Sequence, residues 1–418
     1  MAQEGSSSAS AVQVPESWKL KGVVVLSRHG IRGPTDAVLC SEGNASCLNN
    51  LASEPWQTLG VAAGNMPPGG YERVTTLGRF YRAKFAAGGL FGKSSCPLPE
   101  AVSFVSDAYE RTVTTAGALM NGMFPGCALP PISIKADVFD PPGTRACIPD
   151  AKTSQQQTLK LIGGSWSTVI EGELKQPLAV MSDTLGPFSP AGCNLTHAPS
   201  GCSLKDVPYS KTNEGPVGVA DQLSEQFLMQ YSVGLPPRDV AWGKLPSAAG
   251  MPLTDAIRLV NAVHALDFRA QYMPKYQAVL LGSKLMRQIV DDLDDISRAA
   301  NGAIKVYAAH DNNLLNIAGM LDFKWQLESY QPYQVPPGGA IVFQLWQLPS
   351  GGLRVQTVYY SQTIEQMRKN TSLSVSNPPA SAVLTIPNCD QGNGTCGWKK
   401  FREYAESQIN QTCAKAAD

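Results

Sequence analysis

Three separated stretches of the chain share one design, and that repetition limits the fold more than any other feature. Gly22–Ser27 is a short apolar run that leads into "RHGIRGPT". Ala101–Ser106 ("AVSFVS") leads into "DAYER" and then the helix-like "TVTTAGALMNGMF". Ala303–Ala308 ("AIKVYA") leads into "AHDNN" and the helix-like "LLNIAGML". Short continuous apolar runs fit strands covered on both faces, as in an α/β sheet. Charged residues at the C-terminal ends of such strands, where helices begin, sit at the edge where α/β folds place ligands. The pattern predicts that Arg28, His29, Arg32, Arg111, His310 and Asp311 converge, although they come from distant parts of the chain.

Other segments fill in the frame. "AIVFQLWQL" from Ala340 and "LRVQTVYYS" from Leu353, joined by "PSGG", predict an antiparallel pair. From about Leu129 to Pro252 the composition turns to Gly, Pro, Ser and Gln, with "SQQQTLKLIGGSWSTVIEGEL" and "VADQLSEQFLMQYSVG" as helix candidates. The expected division is an α/β domain over residues 1–128 and 253–418, with 129–252 inserted as a smaller, mainly helical domain and a cleft between them. "LTDAIRLVNAVHALDFRAQYMPKYQAVLLGSKLMRQIVDDL" reads as two long helices returning to the main domain.

Composition excludes some roles. Lys plus Arg equal Asp plus Glu at 34 each, which argues against a nucleic-acid partner. No apolar run is long enough to predict a membrane span. The ten cysteines include no CxxC pair and have only four histidines for company, so no metal site is expected. Cys40/Cys47, Cys193/Cys202 and Cys389/Cys396 each bound a short loop and read as local disulfides. Each would contribute roughly 2–4 kcal/mol, and together they point to an oxidising compartment. The opening "MAQEGSSSASAVQVPESW" has neither the basic nor the apolar part of a signal peptide. The expectation is therefore a processed periplasmic or secreted chain. Asn44, Asn194, Asn370, Asn393 and Asn410 head glycosylation sequons, which matter only in a host that uses them.

The converging residues define a chemistry. A guanidinium keeps its charge and offers a planar fork suited to an oxyanion such as phosphate. Arg28, Arg32 and Arg111 at strand ends, beside the N–H groups of helix starts, make a pocket for a dianion. Positive neighbours keep His29 neutral, and a neutral imidazole beside a phosphoryl group is a nucleophile. His310 and Asp311 add one donor and one carboxyl.

At this point the residues resemble a known family. "RHGIRGPT" fits the RHGxRxP signature of the histidine acid phosphatases, and "AAHDNN" is similar to their HD element. "SDAYERTVTTAGALMNGMFPGC", "FLMQYSVGLPPRDVAWGKL", "PPGGAIVFQLW" and "YYSQTIEQMR" resemble the bacterial branch that contains periplasmic phytases and glucose-1-phosphatase. The resemblance implies a mixed sheet flanked by helices, as in phosphoglycerate mutases, with a smaller inserted α domain. It implies His29 as nucleophile, Asp311 as general acid, and Arg28, Arg32, Arg111 and His310 as the phosphate ligands, with no cofactor. It also implies the disulfides Cys96–Cys127, Cys147–Cys413, Cys193–Cys202 and Cys389–Cys396, which leaves Cys40–Cys47 as an addition. A carboxyl general acid works only while protonated, so an acid optimum is expected.

The expected partner is a small phosphate monoester, taken by a monomer. For myo-inositol hexakisphosphate (phytate) speak Thr35, Asp107 and Glu225, the last being an Asp in glucose-1-phosphatase; Asn312 joins them as an expected substrate contact. Against it stands Asp36, where the resembled phytases often carry Lys, because an acid near the entrance repels a polyanion. A glucose-1-phosphatase or broad sugar-phosphate phosphatase is the alternative reading. A cofactor-dependent mutase fits the cysteines and the HD element poorly, and a non-catalytic phosphate-binding module would not need His29 paired with Asp311. His197 reads as a solvated loop residue and His264 as a packed, hydrogen-bonded helix histidine. The acidic run at 291–295 reads as a solvated helix face.

Overall fold

The first strand is also the middle of the sheet. The computed structural model describes residues 14–35, 48–91, 96–140, 145–387, 389 and 394–415. β1 (Lys19–Arg28) is followed by α1 (Pro68–Ala87), β2 (Val102–Ser106), α2 (Glu110–Met123) and the two-residue β3 (Ser133–Ile134). Helices dominate the next stretch, chiefly α3 (Ala151–Leu161), α4 (Lys175–Leu185), α5 (Pro216–Val233), α6 (Leu253–Tyr272) and α7 (Lys275–Arg298). The chain ends with β4 (Ala303–Ala309), α8 (Asp311–Leu321), β5 (Ala340–Gln347), β6 (Leu353–Ser361), β7 (Ala380–Leu384), β8 (Thr395–Gly397) and α9 (Trp398–Ser407), with short helices between some of them.

The strands run β3-β2-β4-β1-β5-β6-β7 across one mixed sheet, with β8 added to β6. β1, β2, β3 and β4 pair in parallel, whereas β5 to β8 join antiparallel. The apolar runs are explained by burial on both faces. Val24 and Leu26 enter one hydrophobic cluster while Val23 and Val25 enter the other, as the two-residue period of a strand dictates. Register then fixes the functional edge: Arg28 lies beside Ala309, and both Ser27 and Ser106 lie beside Ala308. The residues that follow these strands therefore emerge at one end of the sheet.

Two helices set the depth of that edge. α1 and α2 cross backbone to backbone at Gly78 and Gly122, where an added Cβ on Gly122 would lie 2.2 Å from the Thr75 carbonyl oxygen. β3 joins β2 just beyond residue 128, so the sheet reaches past that position. The stretch from Ser154 to Leu174, read as a single helix candidate, is broken at Gly163 and Gly164, whose φ values of 81° and 103° are left-handed. The 291–295 run also differs from its reading as a solvated face. Asp292 is buried and accepts a hydrogen bond from Tyr307 of β4, because α7 turns that side toward the sheet.

Among the described residues, four disulfides join Cys96–Cys127, Cys147–Cys413, Cys193–Cys202 and Cys389–Cys396. Cys40 and Cys47 lie outside the described residues. Such a set suits an oxidising, extracytoplasmic setting. Among the described residues, no helix is long and apolar enough to cross a membrane.

Candidate active site

The site is assembled by backbone first. The His29 N–H donates to the Ala309 carbonyl at 2.8 Å, and its carbonyl accepts from Gly338 at 2.9 Å. Gly30 follows because there is no room for a side chain: a Cβ would sit 2.6 Å from Val74 Cγ2 and 2.9 Å from Met66 Cε. The Gly30 N–H donates to Thr115 Oγ1 at 2.9 Å, which ties the motif to α2.

The His29 ring has one usable nitrogen. Its Nδ1 lies 2.8 Å from the Gly30 carbonyl oxygen. A carbonyl only accepts, so Nδ1 carries the proton and Nε2 keeps its lone pair. Burial, then the charges of Arg28 and Arg111, push the imidazole well below its usual range, with His310 and Arg32 adding to the effect. His29 is therefore a neutral, pre-oriented base or nucleophile.

The three arginines are held in different ways. Arg28 is 1% exposed. Its Nη1 donates to the Val335 carbonyl at 2.6 Å, and its Nη2 contacts Glu225 Oε1 and, at 2.8 Å, Asp311 Oδ2. Arg32 Nη2 donates to the second Glu225 oxygen at 2.9 Å. One buried carboxylate thus clamps two guanidiniums. Burial alone would raise the Glu225 carboxyl, but Arg28, His264 and Arg32 hold it well below the usual carboxylate range. Arg111 sits in the first turn of α2 with its guanidinium 4.4 Å from the Tyr109 ring centre. Among the described residues the buried Nε atoms of Arg28 and Arg111 meet no protein acceptor. A water or an anion's oxygen would satisfy such donors.

The HD pair opens α8. His310 Nε2 lies 2.7 Å from Asp107 Oδ2, and the His310 and His29 rings meet edge to face at 5.4 Å. Burial would raise the Asp107 carboxyl, yet hydrogen bonds from His310 and the Ala108 N–H bring it below its ordinary value. Asp311 Oδ1 accepts from the Asn312 N–H at 3.0 Å.

The structure thus brings Arg28, His29, Arg32, Arg111, His310 and Asp311 together. The expected substrate contacts fall into three kinds. Asp107 and Glu225 are buried and occupied with His310 and the arginines respectively. Thr35 shares the surface of Gly64 with Arg111, and Asn312 beside Asp311 has a buried Oδ1 that meets no protein donor among the described residues. Asp36 lies outside the described residues.

His264 is the packed, hydrogen-bonded histidine that its helical pattern predicts, but its carboxylate partners were not foreseen. Its Nδ1 lies 2.5 Å from Asp221 Oδ1, and its Nε2 lies 3.2 Å from Glu225 Oε1 and 3.8 Å from Asp311 Oδ2. Asp221 and Glu225 stand four apart on α5, a spacing that puts both carboxylates on one helix face and was the available signal. Tyr109, 52% exposed and edge-on to His310 at 5.3 Å, was also overlooked. Glu225, His264 and Asp311 offer ligand atoms within 4.8 Å of one another. Arg28 already contacts both carboxylates there, so the guanidinium supplies the positive charge that a metal ion would bring.

Comparison with known proteins finds relatives over nearly the whole chain. The sequence model of the histidine phosphatase superfamily (branch 2) matches residues 19–166 and 259–362. Phytase AppA of Escherichia coli strain K12 is 30% identical over 431 residues, covering 97% of this chain and 96% of that protein. The glucose-1-phosphatase of Salmonella typhimurium is 26% identical, covering 95% and 94%. The apo structure of Hafnia alvei phytase superposes with a TM-score of 0.82 at 28% identity, covering 96% of this chain and 99% of that one.

Proposed function

This chain belongs to branch 2 of the histidine phosphatase superfamily and is a phosphoric monoester hydrolase, and from that premise we propose that it is a phytase working through a phosphohistidine on His29. The observation that carries the mechanism is the His29 ring: Nδ1 pinned to a carbonyl, Nε2 bare, and three arginines around it. In the first step Nε2 attacks phosphorus in line with the ester oxygen. The P–O bond breaks, and the departing oxygen takes a proton from Asp311. Water then attacks the phosphohistidine, gives a proton to the Asp311 carboxylate, and releases inorganic phosphate as the N–P bond breaks.

The arginines supply the positive charge that phosphoryl transfer needs, so positioning and electrostatics do most of the work. Arg28, Arg32 and Arg111 hold the non-bridging oxygens, and the unpartnered Nε donors are the natural seats for them. His310, fixed by Asp107, contacts the same group. Thr35 and Asn312 would contact the rest of the ester. The cleft would lie between the sheet edge and the helical insert of residues 129–252. The reaction would run in the periplasm or the medium, by a monomer.

Similarity over nearly full length to phytases from two organisms supports the polyphosphorylated substrate. Glucose 1-phosphate is the second reading, favoured by the similarity to a glucose-1-phosphatase and by Asp36 in place of a cation. Phosphate release at about pH 4.5 with EDTA present, from phytate, glucose 1-phosphate and p-nitrophenyl phosphate, decides between them. We expect turnover that favours phytate and falls by at least about a thousandfold in His29→Ala. Turnover of small esters alone moves the substrate to sugar phosphates. Full turnover in His29→Ala sinks the phosphohistidine.

A further inference from the structure

One buried group near the arginines has no part in the reaction just derived. His264, 3% exposed, reaches from α6 into the gap between α5 and α8. Both ring nitrogens face carboxylate oxygens: Nδ1 faces Asp221 at 2.5 Å and Nε2 faces Glu225 at 3.2 Å. A neutral imidazole has one donor only, so satisfying two ionised carboxylates requires the doubly protonated ring; burial raises the Asp221 carboxyl, and His264 acts against that rise. Glu225 in turn spends its oxygens on Arg28 and Arg32.

We propose that His264, clamped by Asp221, is a positioning residue: as an imidazolium it fixes Glu225, and through Glu225 it sets Arg28 and Arg32 in the phosphate-gripping arrangement. The inference rests on the phosphate-site reading above and extends it to a layer beneath the arginines. Without the imidazolium, Glu225 would face Asp221 and Asp311 with one cation fewer among them. The arginines would then be drawn inward toward the carboxylates, away from the phosphate.

The charged surroundings agree from every side. α5 presents Asp221 and Glu225, α8 presents Asp311, and β1 with its following loop presents Arg28 and Arg32. α6 itself presents Asp267, one turn on from His264. Burial, with Asp221 and Glu214 nearby, keeps the Asp267 carboxyl well above its usual range, so it adds little negative charge. Burial would lower the His264 imidazole, but Glu225 and Asp221 push it up to about 10.

The chain has four histidines, so ring resonances labelled selectively in the intact protein can be followed by NMR. We expect one imidazole to stay doubly protonated at pH 8.5, with its signal absent from His264→Gln. Asp221→Asn, nearly isosteric, should bring that titration down toward neutral pH. His264→Gln should weaken inorganic phosphate, measured by calorimetry at pH 5, by about tenfold or more. Losing a cation beside the acid should also move the alkaline limb of kcat/KM to higher pH. Loss of the proton from all four rings by pH 7.5 overturns the proposal. So does wild-type phosphate affinity in His264→Gln, even if that variant melts at a lower temperature. If the wild type hydrolyses no ester while phosphate binding still falls in His264→Gln, the positioning role stands and the hydrolase reading fails.

Discussion

A histidine that attacks phosphorus must arrive with one nitrogen bare, and at His29 this follows from its own backbone: the carbonyl of the next residue holds the proton on Nδ1. Arg28, Arg32, Arg111, His310 and Asp311 were legible in the sequence because each stands at or soon after the end of a strand, where pattern and position coincide. The partners of His264 were not, because the segment "NAVHALDF" says that a histidine faces inward but not what it meets; Asp221 and Glu225 lie on a helix 40 residues or so earlier. Tyr109 escaped for the opposite reason, since an exposed aromatic carries no pattern at all. It lies under the Arg111 guanidinium and beside His310. Tyr109→Ala should leave stability within about 0.5 kcal/mol. It should raise the inhibition constant of inorganic phosphate two- to fivefold, matching a cation–π contact of about 0.5–1 kcal/mol. An unchanged constant would mean that Arg111 needs no platform.

Among the elements, the decisive contact is the crossing of α1 and α2. The Cβ positions of Gly78 and Gly122 each fall 2.9 Å from the other residue's Cα, so the helices approach as closely as backbone permits. This crossing sets where the N-terminal turn of α2, with Arg111, stands relative to His29, because Thr115 of the same helix accepts from Gly30. Gly122→Ala should force the helices apart and cost about 1–3 kcal/mol in urea unfolding. Phosphate affinity should fall with it, through Arg111 and not through Arg28. The strands were easier to read than this crossing: an apolar run reports burial, whereas a glycine in a helical pattern does not report which neighbour requires it. The same limit explains Gly163 and Gly164, which break what read as a single helix, and Asp292, whose partner Tyr307 comes from β4.

For the whole molecule, the buried charges predict how stability follows pH. The raised His264 value means that its contribution is complete below about 6.5, the ordinary histidine value, and is lost as pH climbs toward about 10. His29 has the reverse sign, since its depressed value favours the fold above 6.5 and is felt as pH falls. Urea unfolding should therefore show the wild type losing on the order of a few kcal/mol between pH 6.5 and 10, and His264→Gln should lose markedly less. Equal slopes would show that the ring is neutral in the fold. The mixed sheet was foreseen from a handful of segments, but the place of its first strand was not. β1 lies between β4 and β5, while Cys147 and Cys413 close a loop spanning a sequence separation of 266. That bond makes the protein a covalent ring with a long tail: Glu225, His264, His310 and Asp311 belong to the ring, and Arg28, His29, Arg32 and Arg111 to the tail. Neither half holds the whole catalytic centre, so Arg28 and Asp311 meet only when tail and ring pack together. His310 and Asp311 come from the last third of the sequence, which also brings β4 and β5, the two neighbours of the opening strand.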